Sequence, residues 1–493
     1  MSDPTFGISI TRIDNEPRPA VYSDMSIVGL VGNAPDANAT TFPADTPVFM
    51  YSDDATMLAA LGDSGTLKDA VSLLNAQLGE FQVAAKLVIV RVAEGVDTDA
   101  TITNIVGNGS TTGLWALDQA GPLLGHVPRL IGVPGFTSQA ESGVTAVAIG
   151  TAGTGYEVGD AITGTGGGGT GFDAEVATVG GSGEITSVTI NDAGTGYTSA
   201  PTLSVTTSGG SGAALTASAG LLANPVCAAL PAILSRLLAH AVVDGPATTQ
   251  AAALAWRETI SSERIIPVDP AVKVYEDGST VVKPMSPGVL GIAVRRDYEK
   301  GGFPFHSWAN QAMQGILGPS RPINFSLTDG ATEGQTLLAA NVGILTRGEM
   351  GVASAIGDGG FIFIGTDNAG SDDLWQFYNV TRGRDFIHLM LLNTLRFYLG
   401  RFNITGQTVQ AVINTMNLAL RDLKANGSIL GYEVSFDRNL NTPESLRLGR
   451  LKVSFAAEEA PVLRYLGIQS ARYRPALDAL LEDILVQTGI VTG

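Results

Sequence analysis

Ser26-Ile-Val-Gly-Leu-Val-Gly32 is a short apolar run that closes in a glycine-rich turn, and it sets the reading of everything around it. A run of this length and composition is a buried strand. Pro47-Val-Phe-Met-Tyr51 reads as a second strand and leads to Ser52, taken as the N-cap of a helix over Ala55–Leu61. Thr66 caps another helix, in which Leu67, Ala70, Val71, Leu74 and Leu78 fall at helical spacing. Lys86-Leu-Val-Ile-Val-Arg-Val92 is then a core strand. Strands alternating with helices predict a sheet covered by helices.

The alternation resumes after residue 221. Pro225–Leu238 reads as a helix, and Ala241-Val-Val-Asp244 as a strand ending in Asp-Gly-Pro. Thr248 or Thr249 caps a helix through Trp256, and Arg264-Ile-Ile-Pro-Val268 is another strand. Pro287–Arg296 starts the last helix of this block, and Asp297 through Ser320 is loop-like. A final domain opens at Arg321. Its main helix is Asp385–Phe402, and a second helix, Val409–Lys424, is stopped by Asn426-Gly427. Three strands are expected after it: Tyr432–Phe436, Arg450–Phe455 and Leu463–Tyr473.

Between about 139 and 220 the character changes. Val144-Thr-Ala-Val-Ala-Ile-Gly-Thr-Ala-Gly-Thr-Gly-Tyr156 recurs as Ile185-Thr-Ser-Val-Thr-Ile-Asn-Asp-Ala-Gly-Thr-Gly-Tyr197, at an offset of 41 residues with eight of thirteen positions identical. Flexible glycine linkers do not preserve strand alternation and a fixed tyrosine. The repeat predicts a small all-β domain of two similar units inserted in the α/β domain. Glycines would turn its corners and Tyr156 and Tyr197 would plug its interior. At the other extreme, residues 1–22 carry Ile8, Ile10 and Ile13 among polar residues and three prolines, too little apolar surface to fold alone. Such a segment is a frayed end or a strand donated to a neighbour's sheet edge.

The chain has 493 residues, too many for one typical domain, and its 44% apolar share is ample for real cores. Lys+Arg 29 against Asp+Glu 47 gives a net charge of −18, which argues against nucleic acid as a partner. The single cysteine, Cys227, excludes an intramolecular disulfide and sits in an apolar helical run as a buried thiol. No leader-like start is apparent, and Pro225 to Val243 is interrupted by Ser235, Arg236 and His240, so no membrane span is expected. A soluble protein made and used in the cytoplasm is the expectation.

No catalytic, cofactor or metal site emerges. Gly29-Leu-Val-Gly-Asn33 lacks the full dinucleotide pattern, and no phosphate-loop motif occurs. His126, His240, His306 and His388 are isolated from one another and from Cys227. Asp372-Asp373 reads as a cap at a strand-to-helix step rather than a metal pair. One charge feature stands out. From Thr381 to Arg474 thirteen residues are basic and seven acidic, leaving +6 there and −24 elsewhere. That polarity predicts an interface with an acidic partner.

Phe361-Ile-Phe-Ile364, then Trp375-Gln-Phe-Tyr-Asn-Val-Thr-Arg-Gly-Arg-Asp-Phe386, resembles the C-terminal domain of contractile tail sheath proteins of myophages and R-type tailocins. Gly113-Leu-Trp-Ala-Leu117, Pro128-Arg-Leu-Ile-Gly-Val-Pro-Gly135, Val242-Val-Asp-Gly-Pro246 and Val289-Leu-Gly-Ile-Ala-Val-Arg-Arg-Asp297 resemble earlier sheath segments, in the same order. The resemblance implies a multidomain α/β layout. It runs as an N-terminal arm (1–22), a sheath α/β domain (23–138 and 221–320) with the all-β insertion (139–220) on the outer surface, an α+β tube-facing domain (321–475) and a C-terminal arm or helix (476–493). It implies a structural subunit of a virion tail and no enzyme. Such subunits polymerise as stacked six-fold rings around a tail tube protein, meet baseplate and tail terminator proteins, and contract to drive the tube through a host envelope. Arg382, Arg384, Arg396, Arg401, Arg421 and Lys424 become tube-contact candidates, and Ile8, Ile10 and Ile13 candidates for an exchanged arm strand. One departure stands: Leu477, Leu480, Leu481, Ile484 and Leu485 have helical spacing where an extended arm is implied. Another virion shell or decoration protein, or an enzyme with a glycine-rich carbohydrate-binding insertion, are the alternative readings.

Overall fold

The computed structural model describes residues 19–489 except 82 and 208. It is a mixed α/β structure with several sheets. The chain begins with β1 (Val28–Asn33), β2 (Pro47–Tyr51), α1 (Ala55–Ala60), α2 (Leu67–Ala76), β3 (Lys86–Val92), α3 (Thr98–Val106), α4 (Ala120–Leu124) and β4 (Leu130–Gly132). Every residue of β1 is buried, as a strand covered by helices on both faces requires. Asp54, not Ser52, caps α1, accepting from the Thr56 and Met57 amides. Ser52 is instead buried, donating to Asn75 Oδ1 (2.8 Å) and accepting the Ala85 amide (2.9 Å). Two residues nearer the helix, Asp54 is the side chain that can reach its first free amides.

Next come the strands of the duplicated segment: β5 (Ser142–Thr154), β6 (Ala161–Thr165), β7 (Thr170–Val179), β8 (Ile185–Thr195), β9 (Thr202–Thr206) and β10 (Ser211–Leu221). They form one antiparallel sheet in the order β5-β10-β9-β6-β7-β8. Exchanging β5 with β8, β6 with β9 and β7 with β10 reproduces that order reversed. The two copies are therefore interlocked by a local two-fold relation and are not two separate units. Tyr156 and Tyr197 are both buried. A Cβ at Gly210 would lie 2.4 Å from the Tyr156 ring, and one at Gly169 would lie 2.5 Å from the Tyr197 ring, so each tyrosine sits on a glycine of the opposite copy. The segment contains no lysine, arginine or histidine. It enters and leaves at one point, where the Leu222 amide donates to Glu141 O (2.7 Å).

After it, α5 (Pro225–Leu237), β11 (His240–Asp244), α6 (Gln250–Glu258) and β12 (Ile265–Val268) complete the first sheet, in the order β12-β11-β4-β1-β3-β2. Only β2 runs antiparallel to its neighbour; the other pairings are parallel. Asn224 caps α5 with Oδ1 and holds Phe136 O and Gln139 O with Nδ2, tying the insertion's stem to the helix. Thr249 caps α6 as expected. Cys227 is buried, and burial together with the nearby Asp244 pushes its thiol up to about 12, so it is inert.

A hairpin of β13 (Val272–Glu276) and β14 (Ser279–Lys283) precedes α7 (Ser286–Glu299). Asp244, at the end of β11, accepts from the Ser286 amide (2.7 Å) and hydroxyl (2.5 Å) and so orients the start of α7. Burial raises its carboxyl to about 6 against those hydrogen bonds. The stretch read as a loop up to Ser320 holds two short strands, β15 (Gln311–Ala312) and β16 (Gly318–Pro319). Strands of two residues carry no periodicity for a sequence reading to detect. Next are α8 (Glu333–Ala339), β17 (Ile344–Arg347) and β18 (Phe361–Ile364), whose Leu345 and Phe363 join the core of the first sheet.

The long helix, α9 (Tyr378–Leu395), starts seven residues before the expected Asp385 and ends before Phe402. Thr381-Arg-Gly-Arg lies inside it, because Gly383 packs beneath Phe305, where a Cβ would lie 2.5 Å from the ring. Then come α10 (Gly406–Ala425), β19 (Ile429–Ser435), α11 (Pro443–Arg447) and β20 (Ser454–Glu459). The Arg450–Phe455 strand is thus displaced toward the C-terminus. Phe386, Met390, Met416 and Leu420 centre the core of this region.

Residues 462–489 form a separate unit. The strand expected at Leu463–Tyr473 is absent: 462–473 lack regular structure, and α12 (Pro475–Thr488) follows. Among the described residues no helix is long and apolar enough to cross a membrane.

Candidate assembly interface

Burying a charge is costly unless it is paired, so the buried Arg382 and the half-buried Arg384 of α9 must each find an acid. Arg382 is fully buried and holds Asp297 of α7 with two nitrogens (3.2 and 2.7 Å), while also donating to Met25 O (3.2 Å) and lying 5.0 Å from the centre of the Trp308 ring. The Ser26 hydroxyl donates to the same carboxylate (3.0 Å). One turn on, Asp385 receives both guanidinium nitrogens of Arg264, with Nη2 at 3.0 Å. His240 Nε2 lies 3.1 Å from Thr381 Oγ1. Burial, then Arg264 and Arg382, push the His240 imidazole well below its usual range, so it is neutral. On a third side Arg384 grips Glu459 of β20 (2.6 and 2.8 Å) and donates to Ala457 O (2.7 Å), with its plane 4.9 Å from the Trp375 ring centre. One helix is thereby fixed to α7, to the β11–β12 edge of the first sheet and to β20.

This places the six basic candidates in two groups. Arg382 and Arg384 are consumed internally, so both are corrected from partner contacts to structural ion pairs. Arg396, Arg401, Arg421 and Lys424 are exposed, along the end of α9 and on α10. Arg401 lies 4.9 Å over the Phe397 ring, and Arg421 is 3.8 Å from Asp422. The acids that neutralise the first group, Asp297 and Glu459, were not singled out from sequence. Nothing local marks them, since each partner is more than 70 residues away in the chain.

Two further features belong to the surface. The β19–β20 pair is a two-stranded sheet, so among the described residues neither outer edge carries another strand. Residues 19–25 lie along α9: the Val21 amide donates to Thr394 Oγ1 (3.0 Å), and Tyr22 stacks on Phe386 at 5.7 Å. Ile8, Ile10 and Ile13 lie outside the described residues. No group of three or more acidic, histidine or cysteine side chains that could hold a metal occurs among the described residues, and Asp372 caps a short turn at the Leu374 amide (2.9 Å).

No family model matches the chain. A tail sheath protein of Escherichia phage P2 is 23% identical over 483 residues, covering 95% of this chain and 96% of that protein. Among solved structures, the sheath complex of the extracellular contractile injection system PVC in its contracted state has a TM-score of 0.58 at 12% identity, covering 97% of this chain and 99% of that one. The chain matches the contractile tail sheath proteins. The helical sheath of the anti-feeding prophage, also contracted, has a TM-score of 0.55 at 12% identity over 96% of this chain and all of that one. At such identity these sheath structures share the fold. A putative prophage major tail sheath protein of Pseudomonas aeruginosa (strain UCBPP-PA14) is 28% identical over 238 residues, 48% of this chain and 58% of that protein. The chain thus spans little more than half of that sheath relative and nearly all of the P2 one. These relatives are structural sheath proteins, not enzymes.

Proposed function

We propose that this chain is the structural subunit of a contractile tail sheath. It polymerises as stacked six-fold rings around a tail tube and contracts to drive that tube through a host envelope. The observation that carries this reading is the end-to-end similarity to the P2 tail sheath protein, joined to the fold of contracted sheaths. The virion tail is its place of work, assembled in the host cytoplasm, with baseplate and terminator proteins at the two ends of the polymer.

The surface supports a division of labour. The open edges of β19–β20 accept the terminal arms of neighbouring copies, the N-terminal one on one side and 462–474 on the other, through backbone hydrogen bonds that survive rigid-body rotation. Arg396, Arg401, Arg421 and Lys424 face the tube, where exposed charge pairs hold register and are weak enough to break. The cation-free insertion lies on the outer surface, away from both.

Electron microscopy of the purified protein in negative stain tests the reading. Hollow helical tubes or stacked six-fold rings are expected, and removal of residues 1–20 is expected to abolish them while the fold persists. Uniform small particles at every protein and salt concentration, with and without the cognate tube, would overturn it.

A further inference from the structure

α12 is fourteen residues long and none of them is buried. Helices of that length are marginal in water when they have nothing to pack against. Yet five of its apolar residues form one stripe: Leu477, Leu480, Leu481, Ile484 and Leu485, from 45% exposed at Ile484 to 60% at Leu477 and Leu481, with Val486 on the opposite face. Asp478, Glu482 and Asp483 flank that stripe, and residues 475–488 contain no basic side chain. This surface calls for an apolar partner with a basic rim.

The connection between β19 and β20 offers one. Phe436 and Leu448 are exposed there, at 44% and 69%. Arg438, Arg447, Arg450 and Lys452 outnumber Asp437 and Glu444 across 436–453, and all four cations are exposed. The thirteen residues of 462–474 can extend to about 40 Å, enough to carry the helix onto another molecule. We propose that α12 of one copy docks on the β19–β20 connection of a neighbouring copy, its leucine stripe on Phe436 and Leu448 and its acids against Arg447, Arg450 and Lys452. This rests on the arm-exchange reading above and adds a second anchor to it. The extended arm gives backbone pairing, and the helix gives side-chain specificity and closes the arm against slippage. Charged flanks set the register, and the buried leucines supply the affinity.

The test uses the full chain and three changes. Asp478→Lys with Glu482→Lys and Asp483→Lys is expected to raise the critical concentration for polymer about tenfold, the effect of losing roughly 1.4 kcal/mol per contact. Adding Arg447→Glu, Arg450→Glu and Lys452→Glu is expected to restore it. A chain ending at Arg474 keeps the extended arm and is expected to polymerise only at the raised concentration. Ile484→Cys combined with Leu448→Cys should give a ladder of disulfide-linked oligomers in the polymer, with buried Cys227 silent. Wild-type polymerisation by the chain ending at Arg474, or a cross-link confined to the monomer, overturns the docking while leaving the sheath reading intact. Failure of the unmodified chain to polymerise at all overturns both.

Discussion

The insertion of residues 142–221 and the helix α9 are held in place by opposite means. Inside the insertion the fixing contacts are steric and repeated: a tyrosine on a glycine, twice, related by the local two-fold. It has no cationic side chain, and its two ends meet at a single hydrogen-bonded stem. In α9 the fixing contacts are ion pairs to three distant segments, one fully buried and two part-buried, each made once and each different. The first arrangement can be gained or lost as a block. The second joins the sheet-bearing part of the molecule to its C-terminal helices and cannot lose a member without leaving a charge stranded in the interior. In the contractile subunit proposed above, carrying force between faces would need the second kind of connection, whereas an outer-surface insertion would need only the first.

The sharpest way to break this contrast is Arg382→Ala. The Asp297 carboxylate, 1% exposed, would lose its guanidinium partner, and breaking a buried pair by removing one member costs about 3–5 kcal/mol. Denaturant unfolding of the variant should show a loss of that size. It should also show α7 and α9 becoming exchangeable together in amide hydrogen exchange, since both depend on the pair. A loss below about 1 kcal/mol would mean that the pair is as expendable as a surface salt bridge.

The same contrast explains what could be read from the sequence. The first sheet was legible in Ser26–Gly32 and Lys86–Val92 because continuous apolar runs are a local signal. The insertion was legible as a duplication, and its tyrosines as interior residues, because the repeat is written in the chain. That the copies interlock was not, since strand order is a long-range property: β5 pairs with β10, and β7 with β8. The arginines of α9 misled for the same reason. A count of charges treats Arg382 and Arg396 alike, and only the approach of Asp297, 85 residues earlier in the chain, separates the buried one from the exposed one. Helix boundaries at Thr381-Arg-Gly-Arg were misplaced because Gly383 is a weak helix former whose advantage, room for Phe305, is tertiary.

Gly194→Ala probes the steric side. Gly194 has φ +64°, and an added Cβ would lie 2.6 Å from Thr170 O and 2.8 Å from the Tyr197 ring. Left-handed backbone strain with a methyl clash should destabilise the insertion by about 2 kcal/mol. The effect should stay within it: limited proteolysis is expected to find cleavage confined to 142–221, with the unfolding of the rest unchanged. The equivalent Gly153→Ala, at the same φ of +64°, should match it. Unequal effects would show that the two-fold relation is one of topology only.

The smallest effect is expected from removing the insertion altogether, and that makes it the most telling. Glu141 and Leu222 are already hydrogen-bonded neighbours, so a two-residue Gly-Gly hairpin can join them without moving either. Asn224 keeps its bonds to Phe136 O and Gln139 O, both outside the deleted residues, so the cap of α5 survives. Unfolding of the remainder should change by no more than about 0.5 kcal/mol, the scale of a benign surface alteration. Polymers should form as before, because neither the β19–β20 pair, nor the exposed arginines, nor α12 lies within 142–221. If the shortened chain folds normally and fails to polymerise, the insertion is itself an assembly surface, and the assignment of the lattice contacts to the two arms and the C-terminal region is wrong.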